Sequence, residues 1–61
     1  MNEKFKIMRT KYTESVGIVD HECFIEEERG DGFVDVLVID LDGGLAGPYR
    51  IKKEDIQEVQ S

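Results

Sequence analysis

The chain has 61 residues, with 14 Asp or Glu against 8 Lys or Arg, so its formal net charge at pH 7 is −6. A domain of this size buries only about 60% of the surface that its unfolded chain exposes, which leaves little volume for an enclosed active site. The length therefore predicts one small domain, residues 1–61, and it disfavours most classes of enzyme. We expect no catalytic residue.

The cysteine content and the hydropathy of the chain predict the cellular compartment in which the protein acts. Cys23 is the single cysteine, so no intramolecular disulfide can form, and the first residues lack the apolar stretch of a secretory signal. No run approaches the roughly 20 apolar residues that cross a bilayer. We therefore expect a cytoplasmic protein that does not insert into membranes.

Alternating polar and apolar residues, rich in β-branched and aromatic types, predict an all-β domain. The expected strands, in chain order, are Lys4–Tyr12, Val16–Glu28, Phe33–Leu41 and Tyr49–Lys52. The segment Lys53–Val59 closes the chain as a helical turn or as a further short strand. The predicted fold is a small antiparallel sheet or a partly open barrel of four to five strands.

The dipeptide Asp31-Gly32 separates the second and third predicted strands and is a strong β-hairpin signal. These two strands should therefore pair antiparallel. One face of the pair is expected to form the core, and it combines Val19, His21, Cys23, Ile25, Val34, Val36 and Val38.

The opposite face of the third strand is also apolar, since it carries Leu37, Ile39 and Leu41. A sheet with one face in water would show polar residues there. Either the sheet curls so that the termini cover these side chains, or a second copy covers them. In the second case Phe24, Leu37, Ile39 and Leu41 form the interface of a homodimer.

Residues that could hold a metal or a nucleotide are few. His21 and Cys23 would share one strand face, but no other His or Cys completes a zinc site. The segment from Asp40 to Gly44 has two carboxylates, yet Ile51 stands where a calcium loop needs a bidentate Glu. We expect no metal, nucleotide or other cofactor.

The most distinctive feature is a group of acids in the middle of the chain, where Arg29 is the one basic residue between Thr13 and Tyr49. Acids at even positions of a strand project from one side at a spacing of roughly 6.6 Å. Two interpretations remain open: a solvated edge that discourages aggregation, or a row of charge that imitates nucleic-acid phosphates. The candidate partner-binding acidic surface comprises Asp20, Glu22, Glu26, Glu27, Glu28, Asp31 and Asp35.

From Val16 to Val59 the chain resembles small SH3-like barrel modules in its pattern. The resemblance lies in VGIVD as an opening strand, a hairpin through ERGDGF, the strand VDVLVIDLDGG and a closing PYRIKKEDIQEV. In size and acidity the chain also resembles the small host-takeover proteins of bacteriophages, some of which mimic DNA. The first resemblance implies a partly open SH3-like barrel, and the second implies an inhibitor.

The expected function is that of a non-enzymatic acidic binding protein, a DNA mimic that occupies and inhibits the basic DNA-binding site of a nucleoid or transcription protein. Its partner would be a basic protein, because an acidic chain does not favour direct contact with nucleic acid. The alternative is an SH3-like structural or accessory module that binds other proteins through apolar contacts.

Overall fold

The computed structural model describes residues 3–59 and confirms the all-β class. Its five strands form one antiparallel sheet in the order β4-β3-β2-β1-β5. No helix within these residues has the length and apolar character needed to cross a membrane. The strands are β1 Lys4–Ile7, β2 Glu22–Glu28, β3 Phe33–Ile39, β4 Leu45–Lys52 and β5 Ile56–Glu58, with helix α1 at Lys11–Ser15 and a 3-10 helix at Lys53–Asp55.

The predicted first strand, Lys4–Tyr12, is too long, because β1 ends at Ile7 and helix α1 begins at Lys11. Thr10 caps helix α1: its side chain accepts a hydrogen bond from the Thr13 backbone at 3.0 Å, and Thr13 Oγ1 accepts one from the Thr10 backbone at 2.9 Å. The same Thr13 hydroxyl donates to the Met8 carbonyl at 2.8 Å and is fully buried. This reciprocal cap ends β1 and turns the chain away from the sheet.

The predicted second strand is wrong in its first six residues. Gly17 and Asp20 both adopt positive φ angles, of 75° and 66°, which are incompatible with an extended strand. The segment is instead held by backbone hydrogen bonds from Ile18 to Thr13 at 3.0 Å and from Asp20 to Ile7 at 2.9 Å. β2 consequently begins at Glu22.

The predicted fourth strand is too short, because β4 continues through Gly47 and Pro48. β4 lies at an edge of the sheet, where a proline removes no ladder hydrogen bond. Gly47 has a φ of 125°, and a Cβ there would lie 2.9 Å from the Val36 carbonyl oxygen, so glycine is required. Further along, Lys53–Val59 supplies both expected structures, the 3-10 helix and then β5.

The predicted core face is confirmed where it lies in strands. Cys23 pairs with Val38 and Ile25 with Val36, so these side chains share one face. Val19 and His21 are half-buried in the segment before β2. The buried hydrophobic residues are Ile7, Ile18, Cys23, Val34, Val36, Val38, Ile51 and Ile56.

The sheet curls around this core. Ile51 of β4 and Ile56 of β5 lie in opposite edge strands but belong to the same hydrophobic cluster. Leu37 and Ile39 remain on the outer face, half-buried, while Leu41 follows β3 and is 99% exposed. Curling therefore closes the core face and leaves the outer apolar residues partly open to solvent.

Replacing Val36 with Ala should lower the free energy of unfolding by about 2 kcal/mol, because it removes packed methyl groups from the middle of the core. Leu41→Ala is the control and should change it by less than about 0.5 kcal/mol, since Leu41 is exposed. Urea unfolding followed by circular dichroism measures both. Equal effects would contradict the assigned core.

Candidate binding surface

The β2–β3 hairpin positions most of the predicted acidic residues. Gly30 and Gly32 lie in its turn and have positive φ angles of 77° and 90°. The Arg29 N–H donates a hydrogen bond of 3.1 Å to the Phe33 carbonyl, which closes the turn. Asp31 Oδ1 accepts a hydrogen bond from the Phe33 backbone at 3.1 Å. The Asp side chain thus stabilises the turn in addition to carrying charge.

A β-bulge divides the predicted row of acids. The register shifts between Ile25 and Glu27, so Glu26 is an extra residue, Glu27 opposes Asp35, and Glu28 opposes Val34. Glu28 therefore lies on the opposite face from Glu22. The expectation of a continuous row along one side of the strand is wrong, because one inserted residue inverts the alternation.

Asp20 and Glu22 lie at the other end of β2 from the turn. Asp20 falls outside β2, in the segment before it, and Glu22 is the first residue of the strand. Glu22 opposes Lys6 in the register and its carboxylate lies 3.9 Å from the Lys4 ammonium. The predicted surface is consequently divided between the two ends of the hairpin. The group at the turn is called the acidic hairpin end and comprises Glu26, Glu27, Glu28 and Asp31.

Asp35 does not belong to a free acidic surface. It is 8% exposed, and its Oδ2 accepts hydrogen bonds from Arg29 Nη2 at 2.8 Å and Nε at 3.1 Å, while Arg50 Nε lies 3.5 Å from Oδ1. The hydrogen bonds from Arg29, followed by its charge and that of Arg50, hold the pKa of Asp35 below its ordinary value. Its negative charge is neutralised within the chain.

The acids of the hairpin end differ in their partners. Glu28 forms an ion pair with Lys53 at 2.5 Å. Glu26, Glu27 and Asp31 are exposed, and none of them forms an ion pair with a cation of residues 3–59. The hydrogen bond to Asp35 is the largest cause of the raised pKa of Arg29, and the fields of Asp35, Glu27 and Asp31 add to it. Exposed carboxylates that form no ion pair therefore lie around Arg29 at the tip of the hairpin.

A groove of about 480 Å³ lies at the opposite end of the hairpin, where the chain enters β2 and leaves β3. We call it the end groove. His21 Nδ1 lies 3.2 Å from the Val19 carbonyl oxygen, which orients the imidazole. The groove is lined by Val19, Asp20, His21, Glu22, Ile39, Asp40 and Leu41.

The outer face of the sheet carries a short apolar strip. Phe24 of β2 opposes Leu37 of β3, and Ile39 lies two residues further along the same face, all three half-buried. Leu41 lies outside β3. The structure thus brings together three of the four residues predicted for a dimer interface, and the oligomeric state stays a prediction.

Cys23 is fully buried, whereas His21 is half-buried and lines the end groove. Burial raises the pKa of the Cys23 thiol to about 11, so the thiol stays protonated at neutral pH. No group of three or more His, Cys, Asp or Glu side chains among residues 3–59 is arranged to hold a metal ion. The sequence interpretation of Cys23 as a small buried side chain is confirmed.

Comparisons of this chain with protein-family models, with curated proteins and with solved structures each gave no match.

Two features of these surfaces were missed in the sequence. The Arg29–Asp35–Arg50 cluster depends on the β3–β4 register, in which Asp35 opposes Arg50, and the sequence gives no signal for that register. The end groove depends on Asp40 lying beside Asp20 and His21. The hairpin signal at Asp31-Gly32 implies that neighbourhood, since the two ends of a hairpin's strands are adjacent.

Replacing Asp35 with Asn should make the free energy of unfolding vary less with pH in the acid range. A carboxylate whose pKa is depressed in the folded state stabilises the fold above its unfolded pKa of about 3.9 and loses that contribution as the pH falls through the folded pKa. The free energy of unfolding, measured from pH 6 downwards by urea titration, should therefore fall less steeply below about pH 4 in the variant.

The control for this measurement is Glu27→Gln, which removes the same charge from an exposed residue that opposes Asp35 in the register. The Asp35 variant should also be the less stable of the two at neutral pH, because it separates two arginines from their shared partner. Identical pH profiles for both variants would show that the ion cluster contributes nothing.

Proposed function

We propose that this protein is a non-enzymatic binding protein whose acidic hairpin end occupies the basic DNA-binding site of a nucleoid or transcription protein and inhibits it. The observation that carries the proposal is the exposure of Glu26, Glu27 and Asp31 without a cationic partner among residues 3–59. Like charges held this close repel one another and reduce stability, so a basic partner would relieve a strain built into the fold.

The spacing of these charges supports a DNA-like surface. Residues on one side of a strand recur every roughly 6.6 Å, and DNA carries one phosphate per roughly 3.4 Å of helix axis on each strand, so the two linear charge densities are of the same order. The bulge at Glu26 adds a carboxylate to this short length and places Glu27 on the face of Asp35. The hairpin end therefore presents several carboxylates over a short turn that a concave basic site could receive.

A function of this kind would be exercised in the cytoplasm, where bacterial DNA-binding proteins act. It is also the kind of inhibition expected of a small bacteriophage host-takeover protein. The net charge of −6 favours rapid association with a basic partner and opposes direct contact with DNA.

The test is a charge reversal at the hairpin end. Basic proteins retained by the immobilised chain from a nuclease-treated bacterial lysate are identified, and each is assayed for DNA binding with and without this protein. The wild type should displace DNA, and the double variant Glu26→Lys, Glu27→Lys should lose at least tenfold in inhibition, because two attractive contacts become repulsive. Inhibition by the wild type should also weaken as the salt concentration rises.

The matched control is Glu54→Lys, Glu58→Lys, which makes the same change of net charge at exposed residues of the 3-10 helix and β5. It should reduce inhibition by less than about threefold, through net charge alone. Equal loss in the two double variants would show that the hairpin end is a solvated edge without a binding role.

A second candidate function is that of an SH3-like accessory module, and the outer apolar strip of Phe24, Leu37 and Ile39 favours it. The five-stranded order, with a 3-10 helix between β4 and β5, is compatible with the SH3-like resemblance of the sequence. Contacts made by this strip, with a second copy or with another protein, would be insensitive to salt.

Replacing Leu37 with Glu tests the strip. If it is a homodimer interface, the wild type should sediment as a dimer at micromolar concentration, independently of salt, and the variant should sediment as a folded monomer. Leu41→Glu is the control, since Leu41 lies outside the strip and is fully exposed. A folded wild-type monomer at all concentrations would remove the dimer from consideration.

A further inference from the structure

We infer that the end groove binds an arginine side chain of the basic partner. This inference rests on the proposed function and deepens it, because it gives the partner a second contact and names the chemistry of that contact. The groove joins aliphatic walls from Val19, Ile39 and Leu41 to carboxylates and an imidazole in one concave surface of about 480 Å³. That combination matches a side chain with an apolar stem and a cationic end.

The carboxylates of the groove belong to Asp20, Glu22 and Asp40. Among residues 3–59 Glu22 lies opposite Lys6 and 3.9 Å from the Lys4 ammonium, whereas neither Asp20 nor Asp40 forms an ion pair. The groove is therefore complementary in charge to an incoming cation. An arginine would place its methylene groups against Ile39, which is half-buried, and its guanidinium beside the carboxylates.

Arginine fits better than lysine for two reasons. A guanidinium is planar and weakly hydrated, so it stacks on flat side chains such as the imidazole of His21, and its forked donors match carboxylates in pairs. A lysine ammonium is compact and strongly hydrated, and it would gain little from the aliphatic walls. The groove should accordingly discriminate between the two cations.

The groove walls are held in place before any ligand binds. The Asp20 backbone N–H donates to the Ile7 carbonyl at 2.9 Å, and the Asp40 N–H donates to the Gly44 carbonyl at 2.7 Å. Both segments are thus anchored at the ends of paired strands. Little ordering is then required on binding, which favours affinity.

The groove and the acidic hairpin end are separable in experiment, because β2 runs from one to the other. Its seven residues, Glu22–Glu28, place them roughly 20 Å apart, about twice the Debye length at physiological ionic strength. A change of charge at one end should therefore act only weakly on a ligand at the other.

The experiment titrates the ¹⁵N-labelled protein with an acetylated and amidated tetra-arginine peptide and follows the amide resonances by NMR. The resonances of residues 19–22 and 39–41 should shift and saturate together. The double variant Asp20→Asn, Asp40→Asn should raise the Kd about fivefold, since it removes two exposed charge contacts. Asparagine tolerates the positive φ of Asp20, so the fold should be retained.

The matched control is Glu26→Gln, Glu27→Gln, which makes the same change of net charge at the hairpin end and should raise the Kd less than twofold. Tetralysine should bind at least threefold more weakly than tetra-arginine, and the neutral tetracitrulline should cause no saturable shift. The inference is overturned by shifts confined to residues 26–31, by equal weakening in the two double variants, or by equal affinity for the two cationic peptides.

The outcome separates this inference from the proposed function. Inhibition of DNA binding that depends on Glu26 and Glu27, without any response of the groove to tetra-arginine, would overturn the groove assignment alone. Saturable binding of tetra-arginine in the groove, without any inhibition of DNA binding by the wild type, would overturn the proposed function alone.

Discussion

The antiparallel pairing of β2 with β3 is the interaction on which both the core and the charged surface depend. It aligns Cys23 with Val38 and Ile25 with Val36 on the buried face. Without the bulge, Glu27 would oppose Val34, and with it Glu28 takes that position. The extra residue moves Glu27 to the outer face and places Glu28 at the end of the strand, within reach of Lys53. The bulge therefore decides which glutamate opposes Val34 and pairs with Lys53.

A small core explains why the chain uses short side chains and a curled sheet. The largest fully buried side chain is that of Ile7, and β3 fills the centre with valines. A flat sheet of this size would leave its edge strands without contact to the core. Because the sheet curls, Ile51 and Ile56 reach the same cluster from opposite edges, and the 3-10 helix needs only three residues to connect their strands. The outer face gains no such cover, which is why Leu37 and Ile39 stay half-buried.

Features encoded within a few residues could be predicted, and features set by distant contacts could not. The hairpin at Asp31-Gly32 and the valine face of β3 follow from local turn chemistry and alternation, and both are found in the structure. The helix after β1 was missed because its cap is a pair of threonines in a stretch that also alternates like a strand. The bulge has no local signal, since Glu26 and Glu27 are chemically alike. Asp35 is neutralised by Arg29 within the predicted hairpin and also by Arg50, fifteen residues away, through a register that only the folded sheet defines.

Formal charge is consequently a poor guide to the surface that a partner meets. Two arginines neutralise the charge of Asp35, and Lys53 neutralises that of Glu28. Glu22 lies beside the lysines of β1. What remains is negative charge at the two ends of one hairpin, the tip around Glu26 and Glu27 and the groove at Asp20 and Asp40, with the apolar strip of Phe24 and Leu37 between them. A partner of the proposed kind would need basic groups for both ends and an apolar patch for the middle. Binding of that kind would combine electrostatic steering of the encounter with salt-insensitive contacts that slow dissociation. A uniformly acidic row would provide the steering without the apolar contacts.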